Sequence, residues 1–163
     1  MATGSKRRDR NSLKELFPHD LVVQQLQGST KEAVIAELLN ALVVAGRVPL
    51  DREREVRDTI LDRERIASTG IGNGLAIPHG KTKHADRLGV AVGLSKQGID
   101  FSSFDGNAVR VVVLAVCPPA SSPEHLSLMR ALATVAKDPD HAEKLAGSKD
   151  RRELLGFLES LET

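Results

Sequence analysis

The chain has 163 residues, of which 40% are apolar, so it is long enough for one ordinary domain with an aliphatic core. It carries 23 basic and 22 acidic residues, four phenylalanines and no tryptophan or tyrosine. A net charge of +1 and so few aromatic rings argue against binding to DNA or RNA, and we expect no nucleic-acid partner. There is no signal-peptide pattern and no apolar stretch near the roughly 18 residues of a membrane span, so we expect a cytoplasmic protein without direct membrane insertion.

The first residues differ in composition from the rest. Residues 1–13 are polar and include the basic run Lys6-Arg7-Arg8-Asp9-Arg10. Such a run at a terminus is typical of a solvated, disordered tail, and we assign it no function. No linker of domain-separating length follows, so the sequence predicts one domain over residues 14–163.

Periodicity predicts the first elements in chain order. Leu21–Val23 is a short apolar run typical of a strand. The segment Ser29-Thr30-Lys31-Glu32 predicts a capping box at the start of a helix that ends near Gly46. A second, densely charged helix is predicted over Asp51–Ile66. The apolar positions of the first helix recur at helical spacing: Val34, Ile35, Leu38, Leu39, Leu42 and Ala45.

The segment from Thr69 to Lys81, TGIGNGLAIPHGK, is the most informative in the chain. Its alternating glycines favour a turn in which backbone N–H groups approach a ligand closely. A short buried strand, Leu75–Ile77, and Pro78 then place His79 at a strand end with an exposed imidazole. The spacing fits neither a P-loop nor a dinucleotide-binding fingerprint. We predict a phosphate-binding loop from four residues: Gly72, Asn73, Gly74 and Gly80.

The second half of the chain alternates strands with helices. Leu88–Ser95 and Val109–Cys117 are β-branched and apolar, and the second is continuous enough for a central strand covered on both faces. Ser122 and Pro123 suit the N-cap and first position of a helix, which places His125 in its first turn. Two shorter helices, Pro139–Ala146 and Lys149–Leu161, complete the chain. The alternation predicts an α/β domain with helices on both faces of one sheet.

Three side chains could act together if the fold brings them into one place. A histidine at a helix N-terminus is held neutral by the helix dipole, which suits His125 to hydrogen bonding. Arg63, near the end of the second helix, is a candidate cation, although most arginines on such a helix are solvated. Around His79 these groups would supply a nucleophilic nitrogen, a hydrogen-bond partner and a positive charge, as phosphoryl transfer requires.

The TGIGNGLAIPHGK segment and the upstream pair Arg63-Glu64 resemble the signature of enzyme IIA domains of the phosphoenolpyruvate-dependent sugar phosphotransferase system. The resemblance is to the fructose/mannitol type, and within it to the nitrogen-related regulatory member. It extends through the GIDF and FDG segments, the strand that ends at Cys117-Pro118 and the PEHL helix entry. The basic N-terminal run lies outside it.

The resemblance implies a three-layer α/β/α sandwich with a mixed central sheet. It implies that His79 accepts a phosphoryl group as a tele-phosphohistidine, with His125 as a neutral hydrogen-bond partner and Arg63 as the stabiliser of phosphoryl charge. The donor would be an HPr-like phosphocarrier protein, and neither a cofactor nor a metal would be needed.

Two roles remain open for such a phosphoryl carrier. The chain carries no enzyme IIB or IIC segment, Gly80-Lys81 follows the histidine and the net charge is near zero, which together favour a regulator whose phosphorylation changes its binding to a potassium transporter or a sensor kinase. The alternative is sugar uptake, in which the phosphoryl group passes to an enzyme IIB.

Two further hypotheses are weaker. A non-phosphorylated binding module of the same fold would not need the three site residues together. A metallo-hydrolase using His79, His84 and His125 lacks the usual metal-ligand spacing.

Overall fold

The computed structural model of the chain describes residues 21–120 and 122–161. The predicted tail, residues 1–13, therefore lies outside the described residues. Within those ranges the strands are β1 (Val22–Val23), β2 (Gly70–Gly72), β3 (Leu75–Ala76), β4 (His79–Lys81), β5 (Gly89–Ile99) and β6 (Val109–Cys117). The helices are α1 (Lys31–Val44), α2 (Glu53–Ile66), α3 (Ser122–Val135), α4 (Pro139–Ala146) and α5 (Arg151–Ser160), and a single 3-10 turn, Leu50–Arg52, leads into α2.

The strands form one mixed sheet in the order β1-β5-β6-β3-β2. Strand β5 is antiparallel to β6, whereas β3 and β4 are parallel to it. Both β3 and β4 pair with the same edge of β6, because Leu75 lies opposite Val111 and His79 lies opposite Ala115. The two short strands therefore form one extended line along β6, interrupted at Ile77 and Pro78.

Helices cover both faces of the sheet, and β6 shows why. Its alternate residues Val112, Leu114 and Val116 pack with the apolar side chains of α1 and α2. The residues between them, Val111, Val113 and Ala115, pack with α3, α4 and α5. From Val111 to Cys117 the strand is apolar at every position, which is the expected sequence for a strand buried on both faces. The predicted three-layer α/β/α sandwich is confirmed.

The start of α1 differs in detail from the predicted capping box. Thr30, not Ser29, is the N-cap, and its side chain accepts a hydrogen bond of 3.2 Å from the Ala33 N–H. Because the cap lies one residue later than predicted, Glu32 is not at the third helical position and cannot complete the box. The helix ends as predicted, with Gly46 at a φ of 75°.

Strands β2 and β5 extend beyond the prediction. Strand β5 continues past Ser95 to Ile99, which pairs with Val109, so the strand ends later than the apolar pattern predicts. Strand β2 was predicted as a turn, but Gly70 and Gly72 pair with β3 in an antiparallel hairpin. No helix among the described residues is both long and apolar enough to cross a membrane.

Candidate active site

His79 lies where the extended line of β3 and β4 resumes after Pro78. Leu75 and Ile77 belong to the apolar core on the α3 side of the sheet, whereas Ala76 belongs to the opposite core. Because side chains alternate along a strand, His79 points to the same side as Ile77, towards α3. The residue is half-buried.

The ring of His79 is held in one orientation by a backbone carbonyl. Its Nδ1 lies 2.8 Å from the oxygen of Ile77. A carbonyl oxygen can only accept a hydrogen bond, so Nδ1 carries the proton and Nε2 carries the lone pair. Among the described residues, no hydrogen bond engages Nε2. In the Nδ1–H tautomer, Nε2 is therefore the nucleophilic nitrogen.

His125 is brought to the same place by the turn that follows β6. The strand ends at Cys117, and α3 begins at Ser122 with Pro123 in its first turn. A Pro at the helix start is compatible with the fixed φ of that residue. The chain therefore returns over the carboxyl end of β6, and the ring of His125 lies with its centroid 5.3 Å from that of His79, at an interplanar angle of 54°.

The surroundings of His125 favour its neutral form. Burial of the ring lowers its pKa below the usual value, and the neighbouring His79 and Lys81 lower it further. Burial disfavours the charged imidazolium, and the positive charge of Lys81 acts in the same direction. At neutral pH the ring is therefore uncharged and keeps one N–H to donate.

Cys117 contacts His125 and the backbone next to His79. Its sulfur lies 4.0 Å from Nδ1 of His125 and 3.9 Å from the carbonyl oxygen of Gly80. The thiol is buried, as the sequence predicts for a strand residue. Gly80 is also in close contact with α2, since a Cβ there would lie 2.9 Å from Cγ1 of Ile60. A side chain at position 80 would force α2 away from β4.

Arg63 lies on α2, one turn beyond Thr59, which contacts Gly80 together with Ile60. Residues four apart lie on one face of a helix, so Arg63 lies at the edge of the face that packs against β4, next to the buried Glu64. Its Nη1 donates a hydrogen bond of 2.9 Å to the carbonyl oxygen of Ala67. No hydrogen bond joins Arg63 to either histidine in the part of the chain that the structure describes.

The predicted phosphate-binding loop is not assembled around His79. Asn73 and Gly74 form the tight turn between β2 and β3, with φ values of 54° and 82°. The Asn73 N–H donates to Asp105 Oδ2 at 2.8 Å, and its side-chain amide donates to the Ala136 carbonyl at 2.6 Å. An internal carboxylate thus occupies the donor that a phosphate would need.

The distance along the strands also separates most of the predicted loop from His79. Leu75 and His79 are four pairing positions apart on β6, which corresponds to about 13 Å. The turn of Gly72, Asn73 and Gly74 lies beyond Leu75, whereas Gly80 lies beside His79. Sequence proximity and the glycine content suggested a single loop, but an extended strand separates its two parts.

His84 does not join the other two histidines. Its Nε2 lies 3.1 Å from Oε1 of Glu55, on α2. Among the described residues, no group of three or more His, Cys, Asp or Glu side chains is arranged to hold a metal ion. The metallo-hydrolase hypothesis therefore has no assembled ligand set in this part of the chain.

Comparison with known proteins gives a consistent family match. The family model described as "Phosphoenolpyruvate-dependent sugar phosphotransferase system, EIIA 2" matches residues 15–161. The "PTS system fructose-specific EIIA component" of Haloferax volcanii is 33% identical over 150 residues, covering 92% of this chain and 96% of that protein. The "Nitrogen regulatory protein" of Bradyrhizobium diazoefficiens is 29% identical over 144 residues, covering 88% and 92%.

Solved structures share the fold. The nitrogen regulatory protein IIA-Ntr of Neisseria meningitidis superposes with a TM-score of 0.79 at 23% identity, covering 89% of this chain and 97% of that one. The mannitol enzyme IIA of Escherichia coli, solved in complex with phosphorylated enzyme IIB, superposes with a TM-score of 0.74 at 23% identity, covering 88% and 99%. At these identities the similarity establishes the fold alone.

Proposed function

The chain belongs to the EIIA 2 family of the phosphoenolpyruvate-dependent sugar phosphotransferase system, and on that premise we propose that it carries a phosphoryl group on Nε2 of His79. Members of this family are phosphotransfer components. The observation that carries the proposal is the hydrogen bond from Nδ1 of His79 to the Ile77 carbonyl, because it leaves Nε2 unprotonated and accessible.

The proposed step exchanges one phosphorus–nitrogen bond for another. Nε2 of His79 attacks the phosphorus of a phosphohistidine on an HPr-like carrier, and the donor imidazole leaves with the electron pair of the broken bond. No proton or water is consumed. Because Nδ1 keeps its proton throughout, the phosphorylated ring retains its hydrogen bond to Ile77 and its orientation.

The neighbouring side chains are proposed to stabilise the negative charge of the phosphoryl group. Neutral His125, at 5.3 Å between ring centroids, is placed to donate its N–H to a phosphoryl oxygen. We propose that the guanidinium of Arg63 exchanges its contact with Ala67 for a phosphoryl oxygen when the partner docks. Lys81, exposed at the end of β4, adds positive charge beside the same pair.

We propose a regulatory role for this phosphorylation. Gly80-Lys81 after the histidine is the feature in which the chain resembles the nitrogen-related regulatory member. Phosphorylation adds nearly two negative charges, which is sufficient to change the binding of a partner such as a potassium transporter or a sensor kinase.

Sugar uptake is the second candidate, because a fructose-specific relative is 33% identical over 92% of this chain. The fructose-specific relative of Haloferax volcanii is matched over 96% of its length, so a chain of this size without a fused IIB or IIC segment also occurs in the uptake branch. Chain length therefore does not separate the two roles. In the uptake role the phosphoryl group of His79 would pass to an enzyme IIB.

The central assignment is tested by incubating the protein with an isotopically phosphorylated HPr-like carrier. Wild type should take up one acid-labile, base-stable label, and His79→Ala should take up none. His84→Gln is the matched control, because His84 is also half-buried but is bound to Glu55. Label on His79→Ala would refute the assignment.

The two roles are separated by the next transfer. Labelled protein is mixed with a fructose-type enzyme IIB, and the label on each protein is followed with time. Rapid passage of the label to enzyme IIB supports uptake. Retention on His79, together with partner capture that differs between the phosphorylated protein and His79→Ala, supports regulation.

A further inference from the structure

Glu64 is a buried carboxylate to which the proposed chemistry assigns no role. It lies in the last turn of α2, directly after Arg63, and only 4% of it is exposed. Ionised carboxylates are rarely buried unless their oxygens are fully paired. Its partners therefore show what it does in the fold.

Those partners lie at the start of the segment that carries His79. The carboxylate of Glu64 accepts from the Thr69 N–H at 3.1 Å and from the Thr69 hydroxyl at 2.5 Å. It also pairs with Lys31, the first residue of α1, at 3.5 Å. Thr69 is itself buried, so its two donors would have no water to bind if the carboxylate were removed.

Thr69 in turn holds the residue that orients the histidine. The Thr69 carbonyl accepts from the Ile77 N–H at 2.9 Å, and the Ile77 carbonyl accepts from Nδ1 of His79 at 2.8 Å. The contacts from Glu64 to His79 thus form an unbroken series: carboxylate, Thr69, Ile77, imidazole. The adjacent Pro78 carbonyl is fixed by the Ala115 N–H at 3.0 Å.

We propose that Glu64 is a positioning residue for phosphoryl transfer, which fixes Thr69 and through it the Ile77 carbonyl that selects the Nδ1–H form of His79. This inference rests on the proposed function of His79. It assigns Glu64 no contact with the phosphoryl group. Its effect is on the tautomer and direction of the nucleophile, and a displacement of about 1 Å at a reacting atom lowers rates on the order of a hundredfold.

The chain contains a matched control in Glu37. That carboxylate likewise accepts two hydrogen bonds, here from the backbone N–H groups of Gln27 and Gly28, each at 3.0 Å. It binds the loop before α1 and has no contact in the series that leads to His79. Replacement of Glu37 therefore removes a similar set of hydrogen bonds without affecting the histidine.

The test combines a rate with a spectroscopic measurement on the full chain. Glu64→Ala should reduce the initial rate of labelling from a phosphorylated HPr-like carrier by roughly tenfold to a hundredfold at a temperature where it is folded. The ¹⁵N shifts of the His79 imidazole should change from the Nδ1–H form to a mixture of both tautomers. Glu64→Gln, which keeps one accepting oxygen, should recover part of both measurements.

Glu37→Ala should lower the unfolding temperature but leave the labelling rate and the His79 tautomer as in wild type. If Glu64→Ala is too unstable to measure, Thr69→Val removes one donor of the same series and should shift both measurements in the same direction. The proposal is overturned if the Glu64 and Thr69 variants lose only stability, as Glu37→Ala does. The ¹⁵N measurement needs no phosphorylation, so its outcome is separate from that of the label test on His79.

Discussion

The two ends of the segment from Thr69 to Lys81 are made of similar residues, yet they have different roles. The hairpin end is the turn of Gly72, Asn73 and Gly74, where the N–H of Asn73 donates to Asp105 and its side-chain amide donates to the carbonyl of Ala136. At the histidine end, the contact to the Ile77 carbonyl uses one nitrogen of His79 and leaves the other without a hydrogen-bond partner in the described chain. A glycine-rich sequence is therefore a poor indicator of a ligand site, whereas a fixed side chain with one free polar atom is a good one.

The two ends also differ in charge. Hydrogen bonds from the Asn73 and Asn107 N–H groups hold the pKa of Asp105 below its usual value, so the hairpin end already contains its own anion. At the histidine end, His79 and Lys81 lie beside a neutral His125 and no acidic side chain is hydrogen-bonded to any of the three in the described residues. That end is open to an incoming anion.

The largest effect on this comparison should come from His125→Ala. Removal of a preorganised hydrogen-bond donor to a charged transition state costs about 10²–10³ in rate. We expect the rate of His79 labelling to fall by this factor, with a stability change of less than about 1 kcal/mol because the ring is at the surface end of α3. His125→Gln, which keeps an N–H donor, should recover part of the rate. A labelling rate for His125→Ala within twofold of wild type would remove His125 from the site.

Arg63→Ala should have the next largest effect. A hydrogen bond to a charged group contributes about 1.5–3 kcal/mol, which corresponds to a rate loss of roughly tenfold to a hundredfold. Arg65→Ala is the control, since Arg65 is exposed on the same helix and pairs with Asp62. Both variants should unfold near the wild-type temperature, because Arg65 loses only an exposed ion pair and Arg63 only one hydrogen bond to a carbonyl at the helix end. Equal labelling rates in the two variants would show that Arg63 takes no part in the transfer.

Gly74→Ala should change stability without changing the rate, because it acts at the hairpin end. Gly74 has a φ of 82°, and a Cβ there would lie 3.1 Å from Cβ of Ala142. We expect a loss of about 1–3 kcal/mol in the free energy of unfolding, measured with denaturant. Gly156→Ala is the control, since that position in α5 has open space around it, and it should be neutral or slightly stabilising. A large loss of labelling rate in Gly74→Ala would show that the two ends are coupled.

Much of the fold could be predicted because its signals are local. The apolar run from Val111 to Cys117 in β6 reflects burial on both faces of the sheet, and the periodicity of α1 reflects burial of one face of the helix. Strand β2 could not be predicted in this way, because Gly70 and Gly72 have no side chains to show alternation. Gly70 is required there for a different reason, because Ser103 lies so close that any Cβ at position 70 would overlap it.

The site was harder to predict from the sequence than the fold. The spacing of Arg63, His79 and His125 along the chain does not reveal their proximity, and only a family resemblance suggested it. Glu64 was quoted in that resemblance but given no role, although a signal was present: it follows the buried Val56 and Ile60 at intervals of four, on the apolar face of an otherwise charged helix. A lone acidic residue on such a face indicates a buried partner.

The smallest predicted effect is on the pH dependence of folding stability, and it concerns His125 at the histidine end. The pKa of His125 in the folded protein is lowered from 6.5 by burial, His79 and Lys81. The unfolded chain therefore binds more protons than the folded chain between the lowered pKa and pH 6.5, so stability is complete above that range and declines as the pH falls through it. Thermal unfolding of wild type from pH 7.5 to pH 5 should show this decline. His125→Gln should show a smaller decline in unfolding temperature, because the titrating group is gone. Gly74→Ala should unfold at a lower temperature throughout but with the same dependence on pH as wild type. If His125→Gln and wild type have the same slope, the ring is not desolvated beside His79, and the neutral hydrogen-bond donor assigned to the site is lost with it.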